Sequence, residues 1–159
     1  MNSAQDISQR AGEIIDQFAP IAEWETRYKR VIEWGKNLPP LAEHGQPSAN
    51  LDRFLIEGCV SKAWLVPSRS GAVVNFAGDS EAAIVKGILA LLIHVYSGAT
   101  PSEILSFPAD FLQRIGLTEQ LSMNRRNGLS QVIKQIKLYA SVFAAQDKLA
   151  APQPGTPPG

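Results

Sequence analysis

The chain carries one cysteine in 159 residues, Cys59. A lone thiol cannot close an internal disulfide or form a two-cysteine redox couple. It cannot by itself complete a zinc or iron–sulfur site, each of which draws on several ligands. Histidine is nearly as scarce, with two residues: His44 in loop-like sequence, read as a solvated residue, and His94 in an apolar helical stretch, read as a core or boundary histidine. No Cys or His pair stands at the short spacing of a structural zinc site, so no metal is expected. Surplus charge is also missing, because 15 Lys and Arg balance 15 Asp and Glu. That balance removes the electrostatic case for nucleic acid, whose binding uses a basic excess to displace counterions. Long hydrophobic runs are absent as well. The stretch from Gly87 to Val95, interrupted by His94, falls far short of the roughly 20 residues that a membrane span needs. Neither GxGxxG nor GxxxxGK[ST] occurs, so no glycine loop for phosphate is readable. The opening MNSAQDISQRAGEIIDQF lacks a basic region followed by an apolar core, and no signal peptide is expected. A free cysteine without an export signal fits a reducing compartment, and the expected location is the cytoplasm.

What is present is the material of one domain, with 45% hydrophobic and 19% charged residues, long enough to bury a sizeable core. Ala11, Ile14, Ile15 and Phe18 recur at helical spacing, with Asp6 or Ser8 available as a cap and Pro20 as a limit. Trp24, Tyr28, Val31, Ile32 and Gly35 mark a second helix that stops at Leu38-Pro39-Pro40. Pro39 to Asn50 reads as a loop. Three short strands are then expected: Asp52 to Glu57, Ser61 to Pro67, and Ala72 to Ala77 after a turn at Ser68 to Gly71. Tight connections favour an antiparallel meander. GDSEAAIVKGILALLIHVY predicts a deeply buried helix capped by Asp79 or Ser80, with Glu81 in its first turn. Thr100-Pro101-Ser102-Glu103 has the form of a capping box with proline at the first helical position. A short helix is expected over Asp110 to Ile115, stopping at Gly116. A long one starts near Ser122, with Leu129, Val132, Ile133, Ile136, Ala140 and Phe143 on one stripe. The fold class is α+β, a small three-stranded antiparallel sheet packed against helices. Residues 1–149 form one domain, and 150–159, rich in Pro and Gly, form a disordered tail.

Cys59 falls in the connection between the first two expected strands, next to Gly58, and two readings of it stand level. A free cysteine is commonly a small half-buried hydrophobe. Against that, glycine lets the chain turn sharply, and a thiol on a turn is more accessible than one in a strand. Lys62 is near in sequence, and a nearby cation lowers a thiol from its ordinary value of roughly 8.5. A one-cysteine thiol enzyme of the peroxidase kind, using Cys59 with Arg125 or His94, therefore stands as an alternative. No hydrolase signature accompanies Cys59, and no threonine precedes it at the peroxiredoxin spacing.

Five stretches bear on that choice together: WETRYKRVIEWGKNLPPL (24–41), GCVSKAWL (58–65), GDSEAAIVKGILALL (78–92), YSGATPSEIL (96–105) and IGLTEQLSMNRRNGL (115–129). In content, order and spacing they resemble the SufE family of cysteine desulfuration proteins, sulfur acceptors that work beside a cysteine desulfurase in iron–sulfur cluster assembly. The resemblance implies a SufE/IscU-like fold with the cysteine at the tip of a mobile loop and sheltered by apolar surroundings. It implies that Cys59 accepts a persulfide sulfur, an exchange at sulfur that needs no second thiol in this chain. Arg125 matches the arginine that would lie near the acceptor loop, although Arg126 intervenes before Asn127-Gly128-Leu129. Asp79, Ser80 and Glu81 match an acidic helix start beside that loop. Capping is an equal reading for Asp79, whereas Glu81 suits docking or loop control. Lys86 is a candidate partner contact or a solvated helix residue. The implied partners are a pyridoxal-phosphate-dependent cysteine desulfurase of the SufS or CsdA type and a downstream cluster scaffold. The chain itself would be a non-enzymatic carrier and activator, holding no cofactor, no metal and no cluster. It departs from the family at Val60, where glutamine is common, at the apolar approach Arg53 to Glu57, and at Met123-Asn124, where a proline-containing start is typical.

Overall fold

The computed structural model describes residues 6–41 and 48–150. Helix α1 (Ile7–Phe18) begins where the Asp6 carboxylate accepts the Gln9 amide at 2.8 Å, and it buries Ile7, Ala11, Ile14 and Phe18. Helix α2 (Trp24–Lys36) turns Val31 and Gly35 inward. Strands β1 (Ala63–Ser70) and β2 (Val73–Ser80) form an antiparallel hairpin, registered from Ala63 opposite Ser80 to Ser70 opposite Val73. Helix α3 (Ala83–Tyr96) follows and buries ten of its fourteen residues, so it is the centre of the core. Then come α4 (Pro101–Ser106), α5 (Phe111–Arg114), α6 (Leu117–Gln120) and the long α7 (Met123–Ala150).

Two glycines let α2 and α3 meet backbone to backbone. A Cβ added to Gly87 would stand 2.2 Å from the Val31 carbonyl oxygen, and one on Gly35 would stand 2.7 Å from the Gly87 nitrogen. The second edge of β2 is tied down after α3, where Val74 donates to the Ala99 carbonyl and accepts from the Gly98 amide, both at 2.8 Å. Helix α7 lays Leu129, Val132, Ile136 and Ala140 against the core. Its Lys137 ammonium donates to the Ile104 and Phe107 carbonyls at the end of α4. Among the described residues no helix is long and apolar enough to cross a membrane.

Among the described residues the sheet has two strands, not the expected three. The stretch read as the first strand is a 3-10 segment, Ser48–Phe54, followed by an isolated bridge between Leu55 and Trp64. The reason is periodicity. Leu51 and Phe54 both pack on the small cluster of Leu41, Val66 and Ala77. Residues three apart lie on one side of a 3-10 turn but on opposite faces of a strand. The hairpin turn is also tighter than expected, with Gly71-Ala72 alone linking the strands. Gly71 supplies a φ of 61°, as the first position of a two-residue primed turn requires.

The start of α3 differs too. Its N-cap is Ala82, without a side-chain bond, because Asp79 and Ser80 are the last rungs of β2. Ser80 instead donates to the Lys62 carbonyl at 2.8 Å and accepts the Ala82 amide at 3.2 Å, bracing the strand-to-helix turn. The Thr100–Glu103 capping box is formed as expected, with Pro101 in the first turn. Gly116, at φ 78°, ends α5 and admits the short α6, an element the sequence pattern does not announce. The expected tail from residue 150 falls outside the described residues except for Ala150, which closes α7. His44 and the middle of the Pro39–Asn50 loop fall outside them as well.

Candidate functional site

The Cys59 loop runs from Glu57 to Lys62, and both ends of it are pinned. The Ile56 amide donates to the Ala63 carbonyl at 2.8 Å, which closes the base. The Lys62 carbonyl takes both the Ser80 hydroxyl at 2.8 Å and the Glu81 amide at 2.9 Å. Between these anchors Gly58 adopts φ 86°, a left-handed conformation open to glycine at no steric cost.

The excursion lies along one stripe of α7. A Cβ on Gly58 would touch the Gln131 side chain at 3.0 Å. The Cys59 Sγ faces the Gly128 carbonyl oxygen at 3.9 Å. Arg125 Nη1 donates to the Ser61 hydroxyl at 3.2 Å. Positions 125, 128 and 131 are three apart and share a helix face, so the loop descends the helix one contact per turn. Val60, between the last two contacts, turns away and is 74% exposed.

This placement decides the state of the thiol. Cys59 is half-buried and packs on the edge of the main core, and burial pushes its thiol above the ordinary value. The lowering expected from Lys62 is not realised, because Lys62 is exposed and desolvation governs. In the docked conformation the sulfur is therefore a protonated, weakly nucleophilic thiol at neutral pH.

The residues read from sequence divide into two groups. Arg125 stands at the loop, through Ser61. Glu81 is exposed and joined to the loop base by its backbone amide. Asp79 and Lys86 pair with each other at 3.4 Å, both partly exposed, on the turn from β2 into α3. His94 belongs elsewhere: its Nε2 lies 3.5 Å from Glu13 on α1, and its ring stands edge-on to Trp34 on α2. Ser61, Gly128 and Gln131 escape the sequence reading. The signal for them is the three-residue step Arg125, Gly128, Gln131 that matches the length of the cysteine loop. Among the described residues no group of three or more His, Cys, Asp or Glu is placed to hold a metal ion.

Fold and site together define a helix-rich α+β protein with a lone thiol on a glycine-hinged loop, laid along its terminal helix. A family model described as the Fe-S metabolism associated domain, SufE, matches residues 12–140. An uncharacterized SufE-like protein of Rhizobium etli is 43% identical over 138 residues, covering 84% of this chain and 90% of the relative. One from Rhizobium meliloti is 43% identical over 133 residues, 80% of this chain and 92% of the relative. One from Synechocystis is 34% identical over 130 residues, 82% and 79% respectively. The chain belongs to the SufE family. Its fold is shared by the solution structure of a hypothetical protein from Thermus thermophilus, with a TM-score of 0.69 at 20% identity, over 86% of this chain and 96% of that one.

Proposed function

We propose that this chain is a sulfur acceptor and activator for a pyridoxal-phosphate-dependent cysteine desulfurase of the SufS or CsdA type, working in the cytoplasm and relaying sulfur to iron–sulfur cluster assembly. The Cys59 thiolate attacks the outer sulfur of a persulfide on the desulfurase. A bond forms between Cys59 Sγ and that sulfur, the donor's S–S bond breaks, and the electron pair leaves on the donor cysteine as thiolate. No net oxidation occurs, and the proton from Cys59 passes to solvent or to a base on the donor. The desulfurase is thereby cleared for another turnover, while Cys59 carries the sulfur to a scaffold. Pyridoxal phosphate stays with the desulfurase, and this chain acts as a carrier rather than a free-standing enzyme.

The observation that carries this reading is a single thiol on a loop pinned at its base and held against α7 by the Arg125–Ser61 bond. Such a loop can lift the sulfur off α7 without disturbing the hairpin. Burial raises the docked thiol above its ordinary value, which suits a carrier whose sulfur is used once the loop lifts better than a peroxidase whose thiolate must stand ready. Arg125 serves as the latch, and Glu81, with Asp79 and Lys86 beside it, faces the desulfurase at the loop base.

Mass spectrometry of the Cys59 peptide after incubation with a desulfurase and cysteine tests the reading. A gain of about 32 Da per sulfur atom is expected on that peptide. A desulfurase that turns over while the Cys59 peptide keeps its mass overturns the acceptor role.

A further inference from the structure

Helix α7 outruns the body it packs on. From Ser141 to Ala150 no residue is buried, yet the helix continues through Ala150. Its last turns are fixed from one side. Arg69, at the end of β1, donates to both oxygens of the Asp147 carboxylate at 3.1 Å, and its guanidinium lies 5.1 Å from the centre of the Phe143 ring. Phe143 and Asp147 stand four apart and share that inner side. The outer side is apolar. Leu138 is 52% exposed, Val142 45% and Leu149 86%, and the exposed Ala145 completes the stripe. At 3.6 residues per turn these four positions lie opposite Ile136, Ala140 and Phe143. A surface helix ordinarily keeps that face polar or charged.

We propose that this stripe is where a second copy of the chain docks, α7 against α7 in antiparallel order about a two-fold axis. Spacing and charge select a second copy as the occupant. The steps from Leu138 to Val142, Ala145 and Leu149 are four, three and four residues, a heptad seam that reads the same in either direction. With the axis between Phe143 and Ala144, Leu138 of one copy meets Leu149 of the other, and Val142 meets Ala145. Every residue of the stripe is then covered, and the surface is self-complementary, as a two-fold interface requires. The flanking positions set Ser141 against Lys148 and Tyr139 against Gln146, so no like charges oppose. Each copy has a formal net charge of zero, so no long-range repulsion resists the encounter.

The stripe faces away from the core, and the two bodies fall on the outer sides of the helix pair. One copy's Ala150 comes opposite the other's Lys137, about 9 Å along the helix from Gln131. Helix α7 of one copy therefore stops before the Cys59 loop of the other. Three turns from each copy bury less than the roughly 1,200 Å² of a standard interface, so the dimer is weak and forms at high protein concentration.

Sedimentation velocity of the full chain in a thiol-free reductant tests the pairing. The weight-average mass of the wild type should climb from monomer at about 10 µM toward dimer at about 1 mM, the range for an interface of this size. Leu138→Glu should weaken the association by about ten-fold or more, because symmetry places the charge in the seam twice. Its melting temperature should hold, since the site is exposed and glutamate is a good helix former. Mixing Leu138→Glu with Leu149→Lys should restore association above that of either variant alone, because antiparallel order sets position 138 against position 149. Leu105→Glu, an equally exposed apolar site on α4 away from the stripe, should associate as the wild type does. A wild type that stays monomeric at about 1 mM overturns the dimer. Association that survives Leu138→Glu, or that Leu105→Glu abolishes as fully, overturns the stripe as its surface. A mixture no more associated than its separate components overturns the antiparallel order.

Discussion

Removing the Arg125–Ser61 bond should make Cys59 more reactive, not less. Two effects of Arg125→Ala oppose each other. Loss of a cation near the sulfur would disfavour the thiolate, while loss of a loop anchor would free the sulfur from the burial that keeps it protonated. Burial is what raises the Cys59 thiol, so release of the sulfur is expected to outweigh loss of the cation. The anchor is one hydrogen bond from a guanidinium to a hydroxyl at 3.2 Å, partly buried. Such a bond is worth about 1 kcal/mol after solvent screening. Where the undocked loop is a minor state, that loss raises its population about five-fold. The rate of Cys59 with a small aromatic disulfide at neutral pH should rise by the same factor. Ser61→Ala removes the bond but keeps the cation, and it should match Arg125→Ala. The double variant should add little, since both changes break one interaction. A slower reaction in Arg125→Ala with an unchanged one in Ser61→Ala would refute the latch and assign Arg125 an electrostatic role. Additive effects in the double variant would refute the pairing.

Other expectations follow from the same geometry. Cys59→Ser should bind the desulfurase in a pull-down or calorimetric titration yet give no stimulation of sulfide release, and stimulation that survives would refute the acceptor mechanism. Gly87→Ala should destabilise the protein by about 3 kcal/mol or more in denaturant titration, because its Cβ at 2.2 Å meets the Val31 carbonyl rather than a side chain that could swing aside. The raised thiol has a signed consequence for stability. The unfolded chain loses the Cys59 proton at lower pH than the folded one, so the stabilising contribution is complete below the unfolded thiol value and is lost as pH rises through the folded value. The stability difference between wild type and Cys59→Ser should therefore shift against wild type from about pH 8 upward, and a difference that stays flat would show that the thiol is not held in its docked environment.

Apart from the short α6, the helices were legible because their signals are local. Asp6 caps α1, the Thr100–Glu103 box opens α4, and the apolar run of α3 can only be a buried helix. The first expected strand misled because Leu51, Phe54, Leu55 and Ile56 are apolar enough for either period, and only the cluster under Leu51 and Phe54 selects the 3-10 turn. Asp79 and Ser80 are good caps by composition, yet the hairpin register claims their backbone first. At the site, Cys59 and Arg125 were visible as separate matches to a family pattern. Their connection through Ser61 was not, because sixty-four residues separate the partners and no periodicity spans a loop and a distant helix. The direction of the thiol shift is hidden from sequence for a related reason. Lys62 is near in sequence, but desolvation depends on what α7 covers.

A carrier thiol faces two requirements that conflict in water: it must be nucleophilic toward one donor and inert toward every other oxidant and disulfide. Lowering its pKa serves the first and defeats the second, since exchange rate follows the thiolate fraction. On the acceptor reading proposed above, resting Cys59 on α7 would separate the two in conformation rather than in chemistry. Docked, the sulfur is protonated and faces a carbonyl. Undocked, as the same reading requires, it would recover the ordinary reactivity of a solvated cysteine. A partner that binds the undocked loop shifts that equilibrium only by its differential affinity for the two states, so a weak latch is sufficient and a strong one would lower the apparent affinity of the donor. One guanidinium–hydroxyl bond, a glycine hinge and a packed sulfur are of the right size for this.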